Sequence, residues 1–354
     1  MANSYYQLIT KPKLYVSYPL FQYANGALDL FRNYGDNWSQ QDMIRMLQLD
    51  PSNQTIVSPD DVYRGLQYRL LPSGQFDDMT KIFNFDFLMI LGHNFASTGA
   101  KIKLHADNDV IEVDPTINTT NLVNYQQWSN IEYDGWSLAN ITQTGSVDAY
   151  NLRLGIAPVE NSYLEKPLRI GSIMWGKSFT FPQNADLSET VSFDYGVKQK
   201  QTISGKTIST ANWTKPNNWI TEPFGLTIPY QDNFENFARR SGRRTWNISF
   251  DSVTPEKVMN QMPMLNSNGW TAQENHTTEA DGITSEYNIY DSEDFFTNVV
   301  HRTMGGHLPM VLQIDANDYS PQNFAIVRLE SNSFKITQKN PNLYNISLKL
   351  VEQI

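Results

Sequence analysis

Cysteine is absent from this 354-residue chain. Disulfides, thiolate metal sites and a cysteine nucleophile are therefore excluded. Charge is also scarce, at 18% of residues against 40% hydrophobic, so polarity rests on Asn, Gln, Ser and Thr. Long apolar runs are missing. No window reaches the roughly 18 apolar residues that a spanning helix needs. The opening MANSYYQLITKPKLYVSYPL is interrupted at Lys11, Pro12 and Lys13 and lacks the apolar core of a secretory signal. The expectation is a chain made in a cytoplasm that leaves it by lysis or inside a larger assembly. Basic residues are outnumbered, giving a formal net charge of −10. That balance argues against a general binder of nucleic acid or of an anionic membrane.

Catalytic motifs are lacking as well. The five histidines, His93, His105, His276, His301 and His307, form neither H-x-H nor H-E-x-x-H spacing. His301 and His307 straddle a helix end, where they would cap carbonyls. No G-x-S-x-G is present, and Gly92 to Gly99 imitates a phosphate loop without the closing Gly-Lys-Ser/Thr. The 37 acidic residues stand in no recognisable glycosidase arrangement. The expectation is a protein that is not an enzyme. Asp107 and Asp109, with Glu112 and Asp114 nearby, could offer oxygen ligands to calcium, although EF-hand spacing is absent. No other cofactor is indicated.

What is present is aromatic, β-branched and turn-rich, which suits strands better than long helices. Residues 12–31 read as one or two short strands around a turn, with Asn25-Gly26 as a tight turn. A helix is expected from Ser39 to Leu49, and another from the Ser58-Pro59-Asp60-Asp61 start toward Tyr68. Phe83, Phe85 and Phe87 alternate with polar residues before the continuously apolar Leu88 to Leu91, as in a strand that becomes buried on both faces. Further strands are expected at Lys101 to Leu104, Asn151 to Ile156 and Leu168 to Gly176. The stretch between Asp107 and Tyr150 reads as long loops with short strands. A second block begins near Pro182 with a turn-rich region. Trp246, Ile248 and Phe250 then alternate with Asn247 and Ser249. Helices follow at Thr254-Pro255-Glu256 and from Ser292 to Met304, the latter stopped by Gly305-Gly306. Three strands close the chain: Leu308 to Ile314, Asn323 to Leu329 and Leu343 to Leu350. The class expected is mainly β with a few short helices.

One basic cluster stands out: Arg239, Arg240, Arg243 and Arg244 in RRSGRRTWNISF. It reads either as a solvated turn or as a contact with an acidic surface. The second is favoured because copies of an acidic chain offer that surface.

The stretch FLMILGHNFASTGAKIKL, Phe87 to Leu104, with NLRLGI and LRIGSIMWGKSFTFP after it, resembles the galactose-binding-like (discoidin-type) jelly roll. Gly92, His93, Asn94, Arg169, Gly171 and Gly176 carry the likeness. Versions with this wording resemble domains of tailed-bacteriophage virion proteins. RSGRRTWNISF, LPMVLQIDAND and PNLYNISLKLVEQI are similar to tail-protein segments. The resemblance implies a galactose-binding-like β-sandwich over 80–182. N-terminal strands and helices in 1–79 contribute in part, and a second β-rich assembly domain occupies 183–354. It further implies a structural role in a virion assembled in the host bacterial cytoplasm. The position would be tail tip, baseplate or fibre attachment, with copies of itself and other tail proteins as partners. The alternative is a carbohydrate-binding module that grips a host glycan through Trp128, Tyr133 and Trp136. His93 and Asn94 are expected to hydrogen-bond loop backbone where β structure ends, rather than to act on a substrate.

Overall fold

A computed structural model of the chain describes residues 10–24, 39–51, 53–58, 66–69, 85–105, 111–117, 131–143, 153–158, 166–187, 189–211, 242–259, 294–319, 323–330 and 334–353. Within these the chain is mainly β, with one eight-stranded antiparallel sheet, several small sheets and a few short helices.

The large sheet draws strands from the whole chain. Its order is β11 (Ser178–Thr180), β1 (Lys13–Tyr15), β16 (Met310–Gln313), β17 (Phe324–Leu329), β19 (Leu343–Glu352), β15 (Arg243–Val253) and β12 (Thr190–Asp194). A further strand, β18 (Lys335–Asn340), pairs with β19. A four-stranded sheet runs β10 (Ser172–Gly176), β4 (Phe87–His93), β7 (Gly135–Gln143) and β6 (Ile111–Ile117). Three smaller sheets join β2 (Thr55–Val57) to β9 (Leu168–Ile170), β3 (Leu66–Arg69) to β8 (Arg153–Pro158) to β5 (Ala100–His105), and β13 (Val197–Gln201) to β14 (Thr207–Ala211).

The period of two along each strand divides its side chains between two cores. Leu14 and Val16, Met310 and Leu312, and Ala325, Val327 and Leu329 enter one core. There they meet Trp246, Ile248, Phe250, Ile346, Leu348 and Leu350. This face is covered by α4 (Pro255–Val258) and by α5 (Phe296–His301), a π-helical turn. The alternate residues Tyr15, Val311, Phe324 and Ile326 face the other way. They pack on Phe87, Met89, Leu91, Trp136, Leu138 and Met174 of the four-stranded sheet. The middle strands β1, β16 and β17 are therefore buried on both faces, and strands on either side of residue 182 share one core. Tyr15 joins the layers through an edge contact with Phe87 at 4.9 Å and a hydrogen bond to Gln313 at 2.7 Å.

Several local expectations are met by the described residues. α2 (Gln40–Leu47) starts at Ser39, whose hydroxyl accepts from the Asp42 amide. α4 begins at Pro255 after Thr254. Every residue of β4 is buried. The last strand buries Ile346, Leu348 and Leu350.

Other expectations are corrected. The helix expected to run toward Tyr68 gives way to β3, because Leu66 to Arg69 pair with Ile156 to Arg153 of β8. After β1 the chain forms α1 (Tyr18–Ala24) and not a second strand. There Tyr18, Leu20 and Phe21 bury, and Ser17 accepts the Leu20 amide. The stretch after Asp107 holds two long strands, β6 and β7, where short strands in loops were expected. Leu168 to Gly176 is two strands, since the chain changes sheets at Gly171. The helix expected from Ser292 is described only over its later part, as α5. Gly305 and Gly306 then reverse the chain with φ of 69° and 94°.

Candidate functional site

The corner after β4 gathers five of the signature residues, and its geometry follows from Gly92 and Gly171; the sixth, Gly176, pairs with Phe87 at the other end of the strand. Gly92 has φ of 65°, a conformation that glycine adopts without strain. A Cβ on Gly92 would also lie 2.6 Å from the Pro51 carbonyl oxygen. Gly171 also closes on Pro51, where a Cβ would meet the same oxygen at 2.4 Å and Leu91 O at 2.8 Å. Gly176 lets β10 pass Val16, its Cβ position being 2.2 Å from the Val16 carbonyl oxygen. All three are thus places where backbone meets backbone.

At this corner Asn94 replaces a missing rung of β ladder. Its Oδ1 accepts the Arg169 amide at 2.7 Å, its Nδ2 donates to Pro167 O at 3.0 Å, and its backbone amide donates to Arg169 O at 3.3 Å. Gln54 Nε2 donates to Gly92 O at 2.8 Å. Asn94 O in turn accepts Thr98 Oγ1 from α3 (Phe95–Thr98). The side chain of Arg169 takes no part in these bonds; its backbone does.

His93 is fully buried and stacks on Phe95 with ring centroids 4.3 Å apart. Nδ1 accepts the Phe95 amide at 3.4 Å, and Nε2 lies 2.9 Å from Ser137 Oγ. With Nδ1 accepting, the neutral ring carries its proton on Nε2 and donates toward Ser137. Burial holds His93 well below its ordinary pKa of 6.5, at about 3, against the opposing hydrogen bond with the Trp136 backbone. Ser137 is itself buried. The pair thus sits inside the fold, with both side chains buried. The nearby Asp134 accepts the Ser97 amide at 2.9 Å.

This burial has a pH consequence. Between pH 6.5 and about 3 the unfolded chain binds a proton at His93 that the folded chain does not. Stability therefore falls as pH falls through that window, by up to about 1.4 kcal/mol per pH unit. Urea midpoints at pH 7, 5.5 and 4.5 are expected to drop for the parent chain. For His93→Gln they should start lower and fall less steeply. Equal slopes for the two proteins would remove His93 from the acid response.

Part of the basic cluster is bonded within the chain. Arg239 and Arg240 lie outside the described residues. Arg243 and Arg244 begin β15 and turn onto the chain's own last strand. Arg244 pairs with Glu352, Nη2 to Oε1 at 2.5 Å, while the Arg244 amide donates to Glu352 Oε2 at 2.9 Å. Its guanidinium lies 5.0 Å from the centre of the Trp246 ring. Arg243 Nε donates to Glu352 O at 2.6 Å. These two arginines clamp the C-terminal strand from within the chain.

For the glycan reading, Trp136 is corrected to a core residue: it is fully buried, with its ring 4.7 Å from that of Phe324. Tyr133 is 38% exposed, and Trp128 lies outside the described residues. Asp107 and Asp109 also lie outside them. Among the described residues no group of three or more His, Asp or Glu could hold a metal ion. His301 and His307 supply backbone rather than ring caps: His301 O accepts the Met304 amide, and His307 O accepts Arg328 Nη1 at 2.6 Å. Nearby Arg302 donates to the Tyr18 hydroxyl and lies 4.3 Å from the centre of its ring.

One surface feature was missed from sequence. Of the ten large hydrophobic side chains exposed among the described residues, six lie between 187 and 208: Leu187, Phe193, Tyr195, Val197, Ile203 and Ile208. They follow the edge strand β12 into the β13–β14 hairpin. The turn signal was present, since Ser204-Gly205 separates Val197 to Ile203 from Lys206 to Ala211, two short runs that contain Val, Ile and Thr. Searched against protein-family models, curated proteins and solved structures, the chain matches none. Among the described residues no helix is long and apolar enough to cross a membrane.

Proposed function

We propose that the chain is a structural component of a tailed-bacteriophage virion, in the tail tip, baseplate or fibre-attachment region, and works by protein–protein assembly. The observation that carries the assembly part is the concentration of exposed apolar side chains along β12 and the hairpin after it. Scattered apolar residues are ordinary on a surface, whereas a concentrated run marks an interaction site. The virion part rests on the resemblance of Phe87 to Leu104 and of the closing strands to tail-protein segments. A galactose-binding-like origin of the sheet containing β4 and β10 belongs to the same proposal. The carbohydrate-binding alternative loses its central platform, because Trp136 faces the core.

Purified particles provide the test. The chain is expected to co-sediment with them at fixed stoichiometry and to remain after salt washing, with a bound label falling on the tail end. A chain found only in the soluble fraction of the lysate would sink the proposal.

A further inference from the structure

We propose that the β13–β14 hairpin is an assembly arm that docks head to tail on a second copy of this chain; the inference rests on the assembly reading above. The two strands pair over five positions, Val197↔Ala211 to Gln201↔Thr207. From Val197 to Thr210 every residue except Thr202 is exposed. A two-stranded hairpin that buries neither face is marginal in water and gains its stability from a surface laid against it.

The tip of the hairpin is nevertheless well built. Thr202 N donates to Lys206 O at 2.8 Å, Gly205 N donates to Thr202 O at 2.9 Å, and Lys206 N donates to Thr202 Oγ1 at 3.1 Å. Gly205 takes the left-handed φ of 82° that closes the turn. This hydrogen-bonded tip holds Ile203 wholly in solvent, at 110% of its reference exposure. An apolar knob on a pre-organised support costs little ordering on binding.

Charge selects the occupant. Register places Lys198 and Lys200 on one face of the hairpin with Thr210 and Ile208 opposite them, and Lys206 follows at the tip. Residues 197–211 contain these three lysines and no carboxylate. Since the whole chain carries −10, everything outside the hairpin carries −13. Another copy is therefore net acidic, and its charge complements that of the arm. An arm on one copy and a receiving face on the next make a heterologous contact, which propagates until it closes into a ring or continues as a filament.

Sedimentation of the full-length chain over a range of concentrations, at low and high salt, tests this. The parent is expected to assemble with rising concentration and to weaken as salt rises. Ile203→Asp, and separately Lys198→Glu with Lys200→Glu and Lys206→Glu, should weaken assembly at least about tenfold. Both should leave the thermal midpoint of the monomer unchanged, because these side chains pack on nothing else. Head-to-tail docking adds a sharper expectation: Ile203→Asp copies still accept an arm, so mixing them in shortens parent assemblies. The inference is overturned by a parent that stays monomeric throughout. It is equally overturned by variants that assemble like the parent, or by slow hydrogen exchange across 197–211 in monomers, which would mean the chain covers its own hairpin. Any of these results with the chain still resident in particles leaves the assembly reading standing. Arm-dependent oligomers of a chain absent from particles would sink that reading alone.

Discussion

Gly171→Ala is expected to cost about 3 kcal/mol or more, enough to unfold a marginally stable chain at physiological temperature. The added methyl would sit 2.4 Å from Pro51 O, 2.6 Å from Pro51 Cα and 2.8 Å from Leu91 O. All three are backbone atoms, so no side chain can swing away to make room. The Gly171 amide also donates to Leu91 O and Gly92 O at 3.1 Å, which ties the crowded position to β4 from both sides. Relief would require either Pro51 to withdraw or β9 and β10 to lose their common corner. Gly99→Ala is the control. Gly99 has φ of 72° but nothing within 4 Å of its Cβ position, so only backbone strain of about 1 kcal/mol applies. Urea denaturation of the two variants should separate them widely. Comparable losses would mean that Pro51 yields, and that close approach is not why glycine occupies position 171.

Breaking the Arg244–Glu352 pair gives the second large effect. Glu352→Ala is expected to cost about 3 kcal/mol. It removes the buried carboxylate that accepts from both the Arg244 guanidinium and the Arg244 amide. The figure sits at the lower end for a buried pair because Arg244 retains 21% side-chain exposure, against 5% for Glu352. Replacing both residues, as Arg244→Met with Glu352→Leu, should recover much of the loss, since no buried charge then stands alone. Thermal midpoints of the two single variants and the double variant form the cycle. Strict additivity would show that the two groups do not act on each other. Assembly of the double variant should match that of the parent, because this pair works within one chain.

These two sites also show how far residue types alone can be read. The alternations at Trp246 to Phe250 and at Tyr344 to Leu350, and the apolar run at Leu88 to Leu91, were legible because side-chain period reports burial directly. The helix after Ser39 was legible from the helical spacing of Met43, Ile44, Met46 and Leu47, and that after Thr254 because proline suits the first helical turn. Leu66 to Arg69 was not, since their state is decided by pairing with β8, some ninety residues away. The role of Asn94 was legible in kind, as a polar residue serving a loop backbone. Its partners Pro167 and Arg169 were not.

The sequence by itself determined the mainly β class, the two-faced burial of the central strands, the absence of thiol chemistry and the need for glycine at the corner after β4. Each follows from composition or from local periodicity. Only the tertiary structure decided that Arg243 and Arg244 clamp the final strand, that Gly92 and Gly171 both close on Pro51, and that Trp136 belongs to the core. It also decided that the hairpin after β12 stands in solvent. Local pattern states what a side chain requires, whereas its partner is set by which distant segment the fold brings within a few ångströms.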